Sequence, residues 1–190
     1  MERRIPAIPT KYKGVQFRSR LEARWAAFFD LAGWRWDYEP LDLDGWIPDF
    51  VLYGQKRRLF IEVKPIDWKY NANTTLDITM PKIERALLLL EKKTAAVIVG
   101  STLCGNDGLG KHIGQLACIG IMCIPRAGWC MAPLALETCG DERCDILCTP
   151  NSYLNGVQDS KMWAIPEGHI WTLRWTEAGN IVQWKGPTNA

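Results

Sequence analysis

No stretch of this chain approaches the ~18 consecutive apolar residues of a membrane span. The first residues, Met1-Glu2-Arg3-Arg4, are polar and lead into no apolar core of the kind a secretory signal needs. Both absences point to a soluble, cytoplasmic protein without a membrane partner. The chain also lacks a Cys-x2-Cys pair, so its seven cysteines do not spell a standard zinc ribbon. Their odd number, in a chain of 190 residues with 47% hydrophobic content, argues against a disulfide framework and for reduced thiols or a metal site. The Gly-rich stretch from Gly105 to Lys111 lacks the Gly-Lys-Ser/Thr ending of a phosphate loop, because His112 follows Lys111. It reads as a plain loop. Net charge is only +2, which by itself does not demand a nucleic-acid partner. No internal repeat or low-complexity segment interrupts what reads as one domain of ordinary size.

Charge is unevenly spread, however. Residues 1–24 carry seven basic side chains against Glu2 and Glu22, a local excess of five. Residues 1–13, with Pro6 and Pro9, read as an extended basic arm. It is either a solvated tail or a phosphate contact, with Lys13, Arg18 and Arg20 as candidate DNA-binding residues. The ten tryptophans suggest packing, with some available for stacking on bases.

The most informative stretch runs from Pro48 to Lys64. Two apolar runs, Phe50 to Tyr53 and Leu59 to Val63, flank a polar segment opened by Gly54, the pattern of a β-hairpin. Side chains alternate along a strand. Leu59, Ile61 and Val63 therefore share one face, and Phe60, Glu62 and Lys64 share the other. Charged side chains on an otherwise apolar strand need a compensating partner. Asp49, at the entry of the first strand, is their natural neighbour. Two carboxylates beside a lysine on rigid strands make a site for a hard divalent cation and an anionic substrate.

Other elements follow from periodicity and punctuation. A helix is expected from about Ser19 to Ala32, stopped by Gly33. Ser19 and Glu22 fit a capping box. Leu21, Trp25, Phe28 and Ala32 form its core stripe, Glu22, Ala26 and Phe29 its edge, and Arg20, Arg24 and Ala27 its outward side. Glu22 thus has two readings: a cap, or an acid reaching a metal at the strand ends. Trp34 to Tyr38 reads as the first strand. Residues 66–80 read as an irregular connection, and Pro81 as the start of a helix to Lys93 with Ile83, Ala86, Leu87 and Leu90 inward. Lys82 on that helix is either a phosphate contact or an ordinary surface lysine. Ala95 to Val99 is a buried strand. Ile113 to Ile124 makes one or two more. Residues 170–178 fit a helix ended by Gly179 or a strand, the helix preferred. Cys130, Cys139, Cys144 and Cys148 leave a structural Zn2+ element and free thiols both open.

Pro48-Asp49, a gap and Glu62-Val63-Lys64, preceded by Glu22 on a helix, resemble the PD-(D/E)xK nuclease superfamily. The order Glu22, Asp49, Glu62, Lys64 is similar to archaeal Holliday-junction resolvases and phage structure-specific nucleases. The segment from Phe17 to Ala26 looks like phage-encoded members, which implies a phage-infected bacterial cytoplasm. The resemblance covers residues 12–100, and the α-β-β-β-α-β order read above is that of the superfamily core. It implies an α/β, restriction-endonuclease-like fold: a mixed central sheet flanked by helices. The expected organisation is a basic arm (1–13), a nuclease core (14–100) and a Cys/Trp-rich extension packed on it (101–190). The implied activity is Mg2+-dependent DNA endonuclease, Mn2+ substituting. Asp49, Glu62, the Val63 backbone carbonyl and Glu22 would be metal ligands, and Lys64 the catalytic cation. Branched or junction DNA is the expected substrate, and a homodimer is compatible with it. A transposase or restriction-type subunit would use the same core. A nucleic-acid-binding module that has lost activity is the alternative, and docking within a phage particle or replication complex a third.

Overall fold

Lys13 and Gly14 decide the first element. Both have positive φ (45° and 85°), the conformation of a two-residue hairpin turn whose twist matches its flanking strands. Strands β1 (Thr10–Tyr12) and β2 (Val15–Phe17) accordingly pair antiparallel, Tyr12 opposite Val15. The end of the expected extended arm is therefore a small hairpin. The structure, a computed structural model, describes residues 7–54, 58–68, 72–90, 94–104, 118–124, 128–133 and 168–183. Arg3 and Arg4, the Gly105 to Lys111 loop, Cys139, Cys144 and Cys148 lie outside them, as does the side chain of Cys130. Whether those cysteines hold zinc therefore lies outside the described residues.

Helix α1 (Arg20–Leu31) starts and stops where its punctuation predicts. Ser19 is extended and its hydroxyl accepts from the Glu22 backbone N–H. Gly33, at φ 74°, follows the Ala32 cap in the left-handed conformation that glycine adopts without steric cost. Its buried face is wider than the expected stripe: Ala26, Ala27 and Phe29 are fully buried. Phe29 packs on Trp34 and Phe50 of the sheet side, and α3 (Gly168–Ile181) adds a second cover, its Trp175 ring 4.4 Å from Trp25 and 5.8 Å from Phe28. Arg24, expected to face outward, lies over the same ring at 3.9 Å and donates to the Trp175 carbonyl (2.9 Å from Nη2). Helix α3 runs through Gly179 instead of ending there. A Cβ at Gly179 would lie 3.1 Å from the Arg24 guanidinium, so the glycine admits that close approach.

The sheet is mixed and has six strands in sequence order: β3 (Arg35–Tyr38), β4 (Phe50–Tyr53), β5 (Arg58–Val63), β6 (Ala95–Cys104), β7 (Cys118–Ile124) and β8 (Gly128–Pro133). Among the described residues only β5 and β6 pair in parallel. Such a pair needs a crossover, which α2 (Ala72–Leu88) provides. Strand β6 is longer than the expected Ala95 to Val99, and β8 is an added strand. From α1 to β6 the order is α-β-β-β-α-β.

Alternation along β5 feeds two cores. Leu59, Ile61 and Val63 join α1, α3 and the first hairpin on one face, whereas Phe60 joins α2 on the other. Helix α2 begins nine residues before Pro81, the expected start. A proline inside a helix removes a hydrogen bond and costs about 3 kcal/mol or more. Leu76 and Thr79 continue the buried stripe of Ile83, Ala86 and Leu87 upstream at 3–4 residue spacing, and burial against the sheet offsets that cost. No helix among the described residues is long and apolar enough to cross a membrane.

Candidate active site

The β4–β5 register is the starting point. Phe50 pairs with Ile61, so one step further along the antiparallel ladder Asp49 faces Glu62. Asp49 is held there by the chain itself: the Val63 backbone N–H donates to its Oδ2 at 2.6 Å. Lys64 lies just past the strand. Its own N–H bonds the Val99 carbonyl (2.9 Å) while its Nζ donates to Glu62 Oε1 at 2.6 Å. Helix α1 brings in Glu22. Its Oε1 accepts from the Ser19 hydroxyl (2.8 Å), and its Oε2 accepts from the Tyr38 hydroxyl (2.5 Å) and the Arg18 backbone N–H (3.2 Å). Glu22 therefore fills its capping role and stands beside Asp49 as well. Burial and the Glu22 carboxylate raise the Tyr38 phenol above its ordinary range, so it stays a donor.

Asp49, Glu62 and Glu22 are 4%, 8% and 8% exposed. Carboxylates are almost never that buried without partners. Lys64 and Trp46 serve Glu62, and Arg18 links the other two. Its Nη2 lies 2.5 Å from Asp49 Oδ1 and 2.6 Å from Glu39 Oε1, and its Nε lies 3.9 Å from Glu22 Oε2. Burial first, and then the Glu62 carboxylate, push Asp49 up to about 7, against the pull of the Val63 N–H and Lys64. Four carboxylates (Glu22, Glu39, Asp49, Glu62) share two cations (Arg18, Lys64). Fully ionised, the cluster carries a formal excess of two negative charges, 4 minus 2.

Three participants, Trp46, Tyr38 and Glu39, are invisible to motif reading. Arg18, expected as a DNA contact, points inward at the acids. Trp46 arrives through a tight turn in which Asp44 and Gly45 both have positive φ (52° and 84°) and Asp42 Oδ1 accepts from the Gly45 N–H (2.7 Å). That turn closes a Leu43–Trp46 bridge and buries the indole, whose Nε1 donates to Glu62 Oε2 at 2.7 Å. An Asp-Gly pair between Leu43 and Trp46 was the available signal.

The remaining candidates lie elsewhere. Lys13 pairs with Asp30 (2.9 Å), near the other end of α1 from Glu22. Lys82 is exposed on α2. Arg20 is half-buried, and its Nε has no hydrogen-bond partner among the described residues. Cys123 is a buried free thiol, pushed up to about 12 by burial and then by Glu84.

No family model matches this chain, and no curated protein or solved structure matches it either. A functional reading therefore rests on the site itself.

Two expected results test the geometry directly. Trp46→Phe keeps an aromatic side chain but loses the pyrrole part of the buried indole, and it leaves Glu62 Oε2 buried without its donor. A lost partner of a buried acceptor costs about 1–3 kcal/mol, so chemical denaturation should show a loss of that order. No loss would mean that the indole N–H is not a needed partner.

The second concerns pH. Asp49 has a folded value of about 7 against an ordinary 3.8. The folded state thus takes up a proton. The stability that protonated Asp49 contributes is fully present below the ordinary carboxylate range and is lost as pH rises through about 7. In EDTA, the wild-type melting temperature should fall relative to that of Asp49→Asn up to that pH and then run parallel to it. A constant difference across the range would show that Arg18 keeps Asp49 ionised throughout.

Proposed function

We propose that this chain is a metal-dependent DNA endonuclease of the PD-(D/E)xK type. The observation that carries the reading is Asp49 set against Glu62 across the hairpin, with Lys64 on Glu62 and Glu22 approaching from α1. Hard divalent cations take oxygen ligands, and the donor set is made of carboxylates in a field with surplus negative charge. Its chemistry fits Mg2+ or Mn2+. Among the described residues no three His, Cys, Asp or Glu side chains form a ready metal-holding group; each Asp49 and Glu62 oxygen already has a protein partner.

Asp49 and Glu62 would hold the metal, with the Val63 carbonyl and Glu22 as further ligands. When bound, the metal acidifies a water and stabilises charge on the phosphate oxygens. The protein's own residues do the rest. Lys64 holds a fixed positive charge beside Glu62, where it offsets charge developing on the phosphate. Trp46 and Tyr38 fix the Glu62 and Glu22 carboxylates. Arg18, 62% exposed at its side chain, can take a phosphate, and so can Arg20, Lys13 and Lys82 along the DNA path. The proposal extends to branched or junction DNA as substrate, a homodimer and a phage setting.

One observation favours a second reading, a DNA-binding module without activity: Arg18 already satisfies Asp49 Oδ1. Cleavage of a labelled four-way junction, flap, splayed arm and linear duplex in Mg2+ and Mn2+ separates the two. Metal-dependent cutting of any of them supports the endonuclease. DNA binding in EDTA with no cutting in either metal supports the module.

A further inference from the structure

We propose that Arg18 is a displaceable internal cation: it occupies the Asp49 oxygen that a divalent metal would take, and metal entry transfers its guanidinium to Glu39. This inference rests on the endonuclease reading and adds a gate to the same site.

The two Asp49 oxygens differ. Oδ2 is committed to the Val63 main-chain N–H at 2.6 Å, a donor fixed by the hairpin. Oδ1 is bonded by the Arg18 side chain alone among the described partners, at 2.5 Å. A side chain can leave where a backbone donor cannot, so Oδ1 is the exchangeable position.

Arg18 is built to leave. Its side chain is 62% exposed while that of Asp49 is 6% exposed, so the guanidinium reaches in from solvent and withdraws without opening a core cavity. Its backbone stays in place, because the Arg18 N–H is held by Glu22 Oε2 at 3.2 Å. Nη2 is also shared: Glu39 Oε1 lies 2.6 Å from it. Losing Asp49 therefore leaves the charge paired.

Glu39 is itself fixed at that spot. Its φ is 45°, a left-handed conformation uncommon for a residue other than glycine, and its N–H bonds the Asp49 carbonyl at 3.0 Å. The second acid therefore stands next to the first. A divalent cation and a guanidinium cannot both sit on one buried carboxylate oxygen, since like charges a few ångströms apart repel strongly where water is scarce. Entry of one requires the other to move. The metal-free protein is then a closed state, and its apparent metal affinity is reduced by the fraction of molecules in which Arg18 holds Oδ1.

The test is metal binding to the full chain without DNA. Mn2+ and Mg2+ are titrated by calorimetry into the wild type, Arg18→Gln and Arg58→Gln. Arg58→Gln removes an equal charge from an exposed position at the start of β5 and controls for net charge. If Arg18 occupies Oδ1 nine-tenths of the time or more, freeing the position should tighten binding by about tenfold or more, with Arg58→Gln within about twofold of wild type. In the wild type, the Arg18 Nε–H resonance should shift over the same Mg2+ concentrations that fill the site. Equal affinity of Arg18→Gln and wild type, or an Arg18 resonance that stays put as Mg2+ saturates, overturns the gate and leaves the endonuclease reading standing. No metal binding by any of the three proteins overturns both.

Discussion

Asp49→Asn is expected to abolish divalent-cation binding and DNA cleavage together, and to leave DNA binding in EDTA intact or tighter. The substitution keeps the shape of the side chain. Its amide oxygen can still accept from the Val63 N–H, which wild-type Asp49 does at 2.6 Å. The other oxygen becomes an amide donor facing the Arg18 guanidinium, where wild-type Asp49 Oδ1 accepts at 2.5 Å. Two donors now face each other, and no anionic oxygen remains at the exchangeable position. The formal negative excess of the cluster falls from two charges to one, which favours approach of a polyanion. Calorimetric metal titration, single-turnover cleavage and a mobility shift in EDTA report the three effects separately. Cleavage at the wild-type rate would remove Asp49 from the reaction.

Lys64→Ala is expected to cost rate far more than binding. The backbone at this position is independent of the side chain: the Lys64 N–H bonds the Val99 carbonyl, and Pro65 follows the strand end. The side chain is 32% exposed and ends on Glu62. Asp49 and Glu62 remain to hold a metal. The change removes one preorganised positive charge from the place where charge develops on the phosphate. Loss of one such group typically lowers rate by about 10²–10³, or ~2.7–4 kcal/mol. Metal titration should stay near wild type while single-turnover cleavage drops by that factor. An unchanged rate would make Lys64 a strand-end charge that serves only to pair Glu62, and the endonuclease reading would lose its most specific support.

The two variants also separate roles that the geometry keeps distinct. Asp49 has one oxygen on the backbone and one on a movable cation. Lys64 touches the cluster through Glu62 Oε1 alone among its described contacts. Loss of the first should empty the site, and loss of the second should leave it loaded but slow.

Much of this arrangement is written in local sequence, and the reason is that strands and helices are short-range objects. Alternation from Leu59 to Lys64 placed Glu62 opposite the apolar face, and the register of two apolar runs around Gly54 brought Asp49 beside it. Ser19, Glu22 and Gly33 bounded α1 because caps act within one turn. The order from α1 to β6 followed from the same periodicities, and with it a mixed α/β sheet flanked by helices. What only the tertiary structure decided depends on partners distant in the chain. Arg24 turned inward because Trp175, 151 residues away, accepts from it and stacks against its guanidinium. Helix α2 begins upstream of Pro81 because the sheet buries Leu76, which proline punctuation does not register. Trp46 caps Glu62, and Arg18, between β2 and α1, closes over Asp49, because a buried carboxylate draws in whatever donor the fold brings within reach. Residue pattern determined where the acids stand; three-dimensional packing determined what holds them, since burial and charge pairing are properties of the assembled core and not of any one segment.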